Sequence, residues 1–299
     1  MTKTLNIAMI GGGFMGKAHA MAHASMPMFF WPAPAIPHRK VVVDVTDELA
    51  EAARQRFGFD EASSDWREVI ARDDIDVIDI CTPNNVHAEI AIAAAKAGKH
   101  IICEKPLARG GEEAKAMLDA VEKAGVIHMV AFNYRRTPAV ALAKKYIDEG
   151  RIGEILNFRG TYLQDWSADP DGPLSWRFQK KIAGSGTIGD IGTHVVDLAH
   201  YLVGPISAVS ALTPTYIKSR PLQSGGVDKL GASEKNSGAP RGEVDVDDEV
   251  VSMLKFACGA IGSLEATRNG HGRNNFITLE IHGTKGSILF NYERRDELQ

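Results

Sequence analysis

Leu5-Asn6-Ile7-Ala8-Met9-Ile10-Gly11-Gly12-Gly13-Phe14-Met15-Gly16 is the stretch whose reading decides the fold. A short apolar run, right for one buried strand, passes directly into Gly-x-Gly-x-x-Gly, and residues 14–25 then read as a helix. Strand, glycine turn and helix in that order suit a dinucleotide. The glycines allow a tight turn and bring a pyrophosphate close to backbone N–H groups at the positive end of the helix. Gly11, Gly13, Phe14, Met15 and Gly16 are therefore the first candidate cofactor-binding residues. A glycine-rich turn without a ligand is the plain alternative.

Strand and helix go on alternating. Strands are expected over 5–10, 40–45, 75–80, 99–103 and 126–132, with helices over 14–25, 47–57, 65–71, 86–97 and 112–124. Such alternation implies right-handed crossovers and a doubly wound parallel sheet, an α/β domain. Past Asn133 the pattern changes. A helix over 138–148 leads into glycine-bounded strands over 154–162, 208–217, 249–256 and 276–282, with one further strong helix over 189–202. This points to an α+β domain on a mostly antiparallel sheet. The boundary is expected near Gly150, giving domains of 1–150 and 151–299. Residues 219–242, rich in Gly, Ser and Pro, read as an exposed loop, and the Pro-rich apolar insert at 26–37 as a loop that something must cover.

Ligands of an open parallel sheet lie beyond the carboxyl ends of its strands, so charged residues there are aimed at chemistry. Cys103-Glu104-Lys105-Pro106 ends the strand over 99–103, which makes Lys105 the first candidate for a working residue, with Glu104 beside it. The second strand ends at Asp44, whose carboxylate can accept from the adenosine ribose hydroxyls and repels a 2′-phosphate. With no cation at Val45 or Thr46, NAD is favoured over NADP. Asp44 lies further from the glycines than the usual ~20 residues, and the 26–38 insert accounts for the excess. Thr82-Pro83-Asn84-Asn85-Val86-His87 follows the strand over 75–80. Asn84 offers a donor and an acceptor to a cofactor, or else caps the next helix, and His87 joins it as a candidate or serves as a helix-start partner.

In the second half the strongest signal is Gly184-Ser185-Gly186-Thr187-Ile188-Gly189-Asp190-Ile191-Gly192-Thr193-His194. Asp190 and His194 are four apart on a helix and so share a face, which Asp197 and Tyr201 continue. A carboxylate beside an imidazole is the pairing that proton abstraction near neutral pH needs, and the crowding glycines leave room for a ligand. A capping Asp with a satisfied core His is the alternative. Upstream, Trp166, Trp176 and Tyr162 lie near Gln164, Asp165 and Arg177, and aromatic faces beside polar groups suit a polyhydroxylated ring, as core packing also would. Trp31 in the insert is a candidate for a lid. His19 and His23 share a helix face and Asp245, Asp247 and Asp248 cluster. The histidines have no third ligand spaced alongside and the acids no Ca²⁺-loop pattern, so solvated faces and turn chemistry are the reading and no metal is expected.

The 299 residues, 44% hydrophobic and 24% charged, have the composition of a soluble protein of two packed domains. A net charge of −4 leaves no basic excess for nucleic acid or anionic lipid. Cys81, Cys103 and Cys258 show no paired spacing and read as reduced thiols. No export signal is expected from the opening residues, and the 26–37 insert holds too many prolines to span a membrane. A cytoplasmic protein is expected, with no nucleic-acid or membrane partner.

Gly11 to Gly16, Thr82-Pro83-Asn84, Glu104-Lys105-Pro106 and the Asp190/His194 helix, in this order over essentially the whole chain, resemble the glucose-fructose oxidoreductase, inositol dehydrogenase and MocA (Gfo/Idh/MocA) family. The resemblance implies a Rossmann domain followed by an α+β domain whose open sheet often mediates oligomers, hence a homo-oligomer, dimer or tetramer. It also implies that Lys105, Asp190 and His194 match the family's catalytic Lys, Asp and His. Within the family, the insert, Phe132-Asn133-Tyr134-Arg135-Arg136 and Leu174-Ser175-Trp176-Arg177-Phe178 are most like the levoglucosan-oxidising branch and its unassigned sugar-dehydrogenase relatives. An NAD-dependent oxidation of a secondary hydroxyl on levoglucosan, or on a related sugar or inositol, is the expected activity. Lys105, Asn133, Tyr134, Trp166, Trp176, Asp190 and His194 are its expected substrate-binding residues. Two rivals share the fold. An NAD-dependent glycosidase would show no net NADH, and a non-catalytic sensor of nucleotide or sugar would lack the Lys, Asp and His that this chain keeps. Members of the family continue beyond 291–299, so a C-terminally truncated form is expected.

Overall fold

The computed structural model describes residues 2–222 and 238–299, and the chain divides into two units, Met1–Ala131 and Phe132–Gln299. The first runs β1 (Lys3–Ile10), α1 (Phe14–Phe29), β2 (Ala35–Val43), α2 (Asp47–Phe57), β3 (Glu61–Ser63), α3 (Trp66–Ile70), β4 (Val77–Ile80), α4 (His87–Lys96), β5 (His100–Cys103), α5 (Gly111–Ala124) and β6 (His128–Val130). Six parallel strands lie in the order β3-β2-β1-β4-β5-β6. This is the Rossmann order, which reverses between β1 and β4. Both faces of the sheet are apolar because helices cover both. Met9 and Val42 pack with Ala20, Ala53 and Phe57 of α1 and α2. Ile10, Val43, Ile80 and Ile101 pack with Ile90 and Ala94 of α4 and Met117 and Val121 of α5.

Three details differ from the sequence reading. β3 is too short to show a periodicity and was not among the expected strands. α1 runs on to Phe29 with Pro27 in its last turn, where the missing N–H forfeits one bond at the helix end rather than in its middle, and β2 begins at Ala35. The insert is thus mostly helix and strand rather than loop, and Met28, Phe29, Phe30 and Trp31 stay exposed on the chain.

The second unit runs α6 (Pro138–Asp148), β7 (Ile155–Leu163), α7 (Lys180–Ala183), a π-helical turn (Ile188–Gly192) continuing into α8 (Thr193–Leu202), β8 (Ile206–Leu212), β9 (Ser219–Pro221), β10 (Arg241–Glu243), β11 (Glu249–Phe256), β12 (Ile261–Thr267), β13 (Phe276–Gly283) and β14 (Ser287–Asn291). Its main sheet has the order β14-β13-β7-β12-β11-β8 and is antiparallel except between β7 and β12. Val140 and Ala143 of α6 and Val195, Leu198 and Leu202 of α8 share one core with Phe158, Leu264 and Leu279 of the sheet. α8 packs tightly against β7 at Gly160, where a Cβ would lie 2.4 Å from Val195 Cγ1. Because α6 belongs to this core, the boundary falls at Ala131/Phe132 rather than near Gly150. β8 stops at Leu212, since Pro214 has no N–H to continue the ladder. The ends of the expected 219–242 loop pair as β9 and β10, and residues 223–237 lie outside the described residues.

Candidate active site

Strand register lines up the first set of candidates. Val43, Ile10, Ile80 and Cys103 are partners in turn across β2, β1, β4 and β5. Asp44, Gly11, Cys81 and Glu104, which follow them, therefore share one edge of the sheet. Gly11 has φ of +104°, and a Cβ there would lie 2.6 Å from Cys81 O. At Gly16 a Cβ would lie 2.1 Å from Gly11 O, so only glycine lets α1 start this close to β1. Gly13 differs: its φ is −73° and a Cβ would meet nothing within 4 Å. Among the described residues no neighbour requires glycine at 13. The space is right for a pyrophosphate at the N-terminus of α1, so the turn fits NAD. Gly12, only an x in the pattern, is just as tightly held, with Ala53 Cβ 2.7 Å from where its own Cβ would be. Its N–H donates to Asp44 Oδ2 at 3.0 Å, and the Val45 N–H donates to Oδ1 at 2.7 Å. Backbone donors thus fix the Asp44 carboxylate just past β2.

The other turns of this edge are braced from beneath. Asn84 is buried in a 3-10 turn, Asn84–Val86, that follows Thr82 and Pro83. His87 is fully buried, with Nε2 2.9 Å from Thr82 O and Nδ1 3.1 Å from Pro106 O, and burial holds its pKa below the usual imidazole value. Any part it plays toward a cofactor runs through those two turns. Glu104 is buried too, its Oε2 accepting from the Lys105 N–H at 3.0 Å and its Oε1 lying 2.9 Å from His19 Nε2. The solvated face expected for His19 and His23 is corrected here: their side chains are 14% and 13% exposed and both meet Asp79, which is 0% exposed. The polar stripe of α1 faces a buried carboxylate of β4 that the apolar Val77-Ile78-Asp79-Ile80 run did not advertise.

In the second unit Asp190 lies in the π-helical turn and His194 in the first turn of α8. Asp247 builds that start, accepting from the Gly186 N–H at 2.7 Å and the Ile188 N–H at 2.8 Å. Gly186 packs so tightly that a Cβ would lie 1.9 Å from Asp247 O. Asp245 accepts from the Lys180 N–H at 2.6 Å, and Asp248 from Tyr216 and Ile217 at 2.7 and 2.8 Å. The acidic cluster is thus turn chemistry. His194 sits among aromatic rings, with centroids at 4.8 Å to Tyr134, 5.8 Å to Phe132 and 5.9 Å to Tyr162. The Tyr134 and Tyr162 hydroxyls are 2.8 Å apart, Tyr162 donates to Asn275 Oδ1 at 2.5 Å and Asn275 Nδ2 donates to Tyr134 at 3.2 Å. Burial raises both phenol pKa values, so they stay neutral and brace the imidazole.

Sequence reading missed Arg268, because β12 was not among the expected strands and nothing placed the residue after it. Its guanidinium is fully buried. Nη1 donates to Asp190 Oδ2 at 3.4 Å and Nη2 to Asp247 O at 3.4 Å. Its Cζ lies 5.2 Å from the centroids of both Trp166 and Phe178. One side of Trp166 is therefore used in packing, and Trp176 carries Arg177 over its ring at 4.4 Å. Asn133 opens a 3-10 turn, Asn133–Arg136, in which Arg135 Nε donates to Asp197 Oδ2 at 2.7 Å and the guanidinium lies over Tyr201. Asp197 and Tyr201, expected to continue the Asp190/His194 face, anchor that turn.

Comparison with known proteins bears on both units. Residues 5–132 match a family model described as an oxidoreductase family with NAD-binding Rossmann fold, and residues 140–289 match the GFO/IDH/MocA C-terminal domain. A levoglucosan dehydrogenase of Pseudarthrobacter phenanthrenivorans is 70% identical over 297 residues, 99% of this chain and 76% of that protein. The scyllo-inositol 2-dehydrogenase (NAD(+)) of Bacillus subtilis is 32% identical over 97% of this chain and 74% of its own length. Among solved structures, levoglucosan dehydrogenase in complex with NADH and levoglucosan superposes with a TM-score of 0.92 at 67% identity, covering 99% of this chain and 76% of that one.

Proposed function

The chain belongs to the Gfo/Idh/MocA family of NAD-binding oxidoreductases, and from that premise we propose that it oxidises a secondary hydroxyl on a sugar-like ring, with levoglucosan the first substrate to test. The observation that carries the reading is the Asp190/His194 pair, an imidazole set among aromatic rings on the same short helical segment as a carboxylate anchored by buried Arg268. The 70% identity to a levoglucosan dehydrogenase supports levoglucosan over an inositol. NAD, when bound, supplies the hydride acceptor. His194 takes the hydroxyl proton as the C=O bond forms, Lys105 donates a hydrogen bond to the same oxygen as negative charge grows on it, and Asp190 orients substrate and imidazole. Asn133, Tyr134, Trp166 and Trp176 complete the proposed pocket, and Asp44 selects NAD over NADP.

A panel of levoglucosan, other sugars and inositols, each with NAD and with NADP, tests this by NADH or NADPH absorbance. Levoglucosan with NAD is expected to give the highest kcat/KM. Release of product from a glycoside with no net NADH would replace the dehydrogenase by a glycosidase, and binding without turnover would replace it by a sensor.

We propose that the chain forms a homo-oligomer, a dimer or tetramer, through the open face of the second sheet. Leu212 and Val251 are register partners there and, with Met253 and Ile261, are exposed. Light scattering after gel filtration would check it, with Met253→Lys expected to shift the mass downward. The free thiols of Cys81, Cys103 and Cys258 suit a reducing compartment such as the cytoplasm.

A further inference from the structure

We propose that His19 is a positioning residue for the Lys105 turn, an imidazolium that ties Asp79 of β4 to Glu104 at the end of β5. A neutral imidazole has a single N–H. Yet Nδ1 of His19 lies 2.9 and 3.0 Å from the two oxygens of Asp79, and Nε2 lies 2.9 Å from Glu104 Oε1. Carboxylate oxygens only accept, so a ring between two of them needs a proton on both nitrogens. Asp79 also meets His23 Nε2 at 2.7 Å and has Cys81 Sγ 3.7 Å away. Two buried carboxylates this close repel unless a cation stands between them, and the ring is placed to be that cation. Burial opposes charging the ring, but hydrogen bonds to Asp79 and then Glu104 outweigh it and raise its pKa to about 10. Burial and the nearby carboxylates push the Cys81 and Cys103 thiols up, so both remain neutral. The other oxygen of Glu104 accepts from the Lys105 N–H at 3.0 Å. One chain of bonds thus runs from the sheet core through α1 to the backbone of the lysine.

This role deepens the reading of Lys105 as a catalytic residue and rests on it. The test uses the full chain with NAD and the best substrate of the panel. Nitrogen-15 NMR should find the His19 ring doubly protonated from about pH 6 to about pH 8.5, and a neutral ring at about pH 7.5 overturns the bridge. His19→Gln should lower kcat by roughly 10- to 100-fold with KM for NAD changed less than about threefold, and the kcat loss should shrink to under about threefold in a Lys105→Met background. An equal loss in both backgrounds overturns the positioning role. Parental turnover in Lys105→Met would instead remove the catalytic reading of the lysine, and the ring signature then judges the bridge alone. About one equivalent of tightly bound zinc, with the ring N–H signals gone, would put a metal where the proton is proposed and overturn it as well.

Discussion

The glycine turn of the first unit and the π-helical turn of the second both hold candidate site residues in place, but by different physical means. Around Gly11–Gly16 the constraint is backbone against backbone: at Gly11 and Gly16 a single added carbon collides with a carbonyl. Around Asp190 and His194 one such contact recurs, at Gly186 against Asp247 O, but the two working side chains are set by side chains far apart in sequence, Phe132, Tyr134, Tyr162, Arg268 and Asn275 among them. Close backbone approach is all-or-none, because no rotamer relieves it. A shell of rings and a guanidinium is graded, because each member contributes a part and its neighbours can adjust. The two regions should therefore fail differently when mutated.

The largest expected effects fall at the proposed reacting groups, one in each unit. Lys105→Met and His194→Ala should each lower kcat on the order of 10²- to 10⁴-fold, the first by removing a donor from the developing charge and the second by removing the proton acceptor. Near-parental turnover in either variant reassigns that role. The glycines give the sharpest contrast. Gly16→Ala forces a Cβ to 2.1 Å from Gly11 O and should lower Tm by roughly 5–15 °C. Gly13→Ala meets nothing within 4 Å, so its Tm should stay within about 2 °C of the parent while Kd for NADH rises roughly tenfold or more. If Gly13→Ala binds NADH as the parent does, the open space beside Gly13 does not receive the pyrophosphate.

His19 gives the first region a pH signature with a definite sign. The folded ring keeps its proton to about 10, whereas an unfolded histidine releases it near 6.5. Because the folded value is the higher, the stabilisation is complete below about pH 6.5 and is lost as pH rises through about 10. Stability of the parent should fall over that window by on the order of 5 kcal/mol, and His19→Gln should flatten the fall. Thermal melts at steps of pH would check it, and a parent curve without slope there would mean the ring is not charged.

What could be read in advance follows the same division. The parallel sheet and the glycine turn were legible because they rest on local pattern: an apolar run, three spaced glycines and polar residues at strand ends. Asp44 and Glu104 fell where the register later put them for that reason. The support beneath was hidden. Asp79 interrupts a strand by one residue, and only the register and the facing stripe of α1 show that His19 and His23 meet it. Arg268 was equally silent, since a lone arginine after an unrecognised strand looks like any surface charge until the fold closes over it. The domain boundary was misplaced for a related reason: α6 continues the helical rhythm of the first half, and only its buried face shows that it packs with the second sheet.

Arg268 tests whether the side-chain shell is graded as argued. Arg268→Lys keeps a cation but loses the fork that reaches Asp190 Oδ2 and Asp247 O together, so kcat/KM should fall by roughly tenfold with the fold retained. Arg268→Met also strips the charge and should cost both activity and stability, about 2–4 kcal/mol of the latter, because Asp190 and the Asp247 carbonyl lose a buried donor. Circular dichroism melts beside initial rates separate the two losses. Full activity in Arg268→Met would leave the Asp190 carboxylate to be held by other partners.

The smallest expected effect lies at Asp44. Its carboxylate accepts from the Gly12 and Val45 N–H groups, so it is held by backbone at the edge where the adenosine ribose is expected. A serine there still offers an oxygen to one of those donors, and the glycine turn should keep its shape. What is lost is negative charge facing the 2′ position, which discourages a phosphate without touching the reacting carbon. Asp44→Ser should therefore narrow the NAD-to-NADP ratio of kcat/KM by on the order of tenfold, about 1.4 kcal/mol, mostly through a lower KM for NADP and with kcat little changed. The measurement is a pair of saturation curves for each cofactor with parent and variant. An unchanged ratio would mean that the backbone donors hold the carboxylate away from the ribose, and that cofactor choice is made elsewhere along the strand ends.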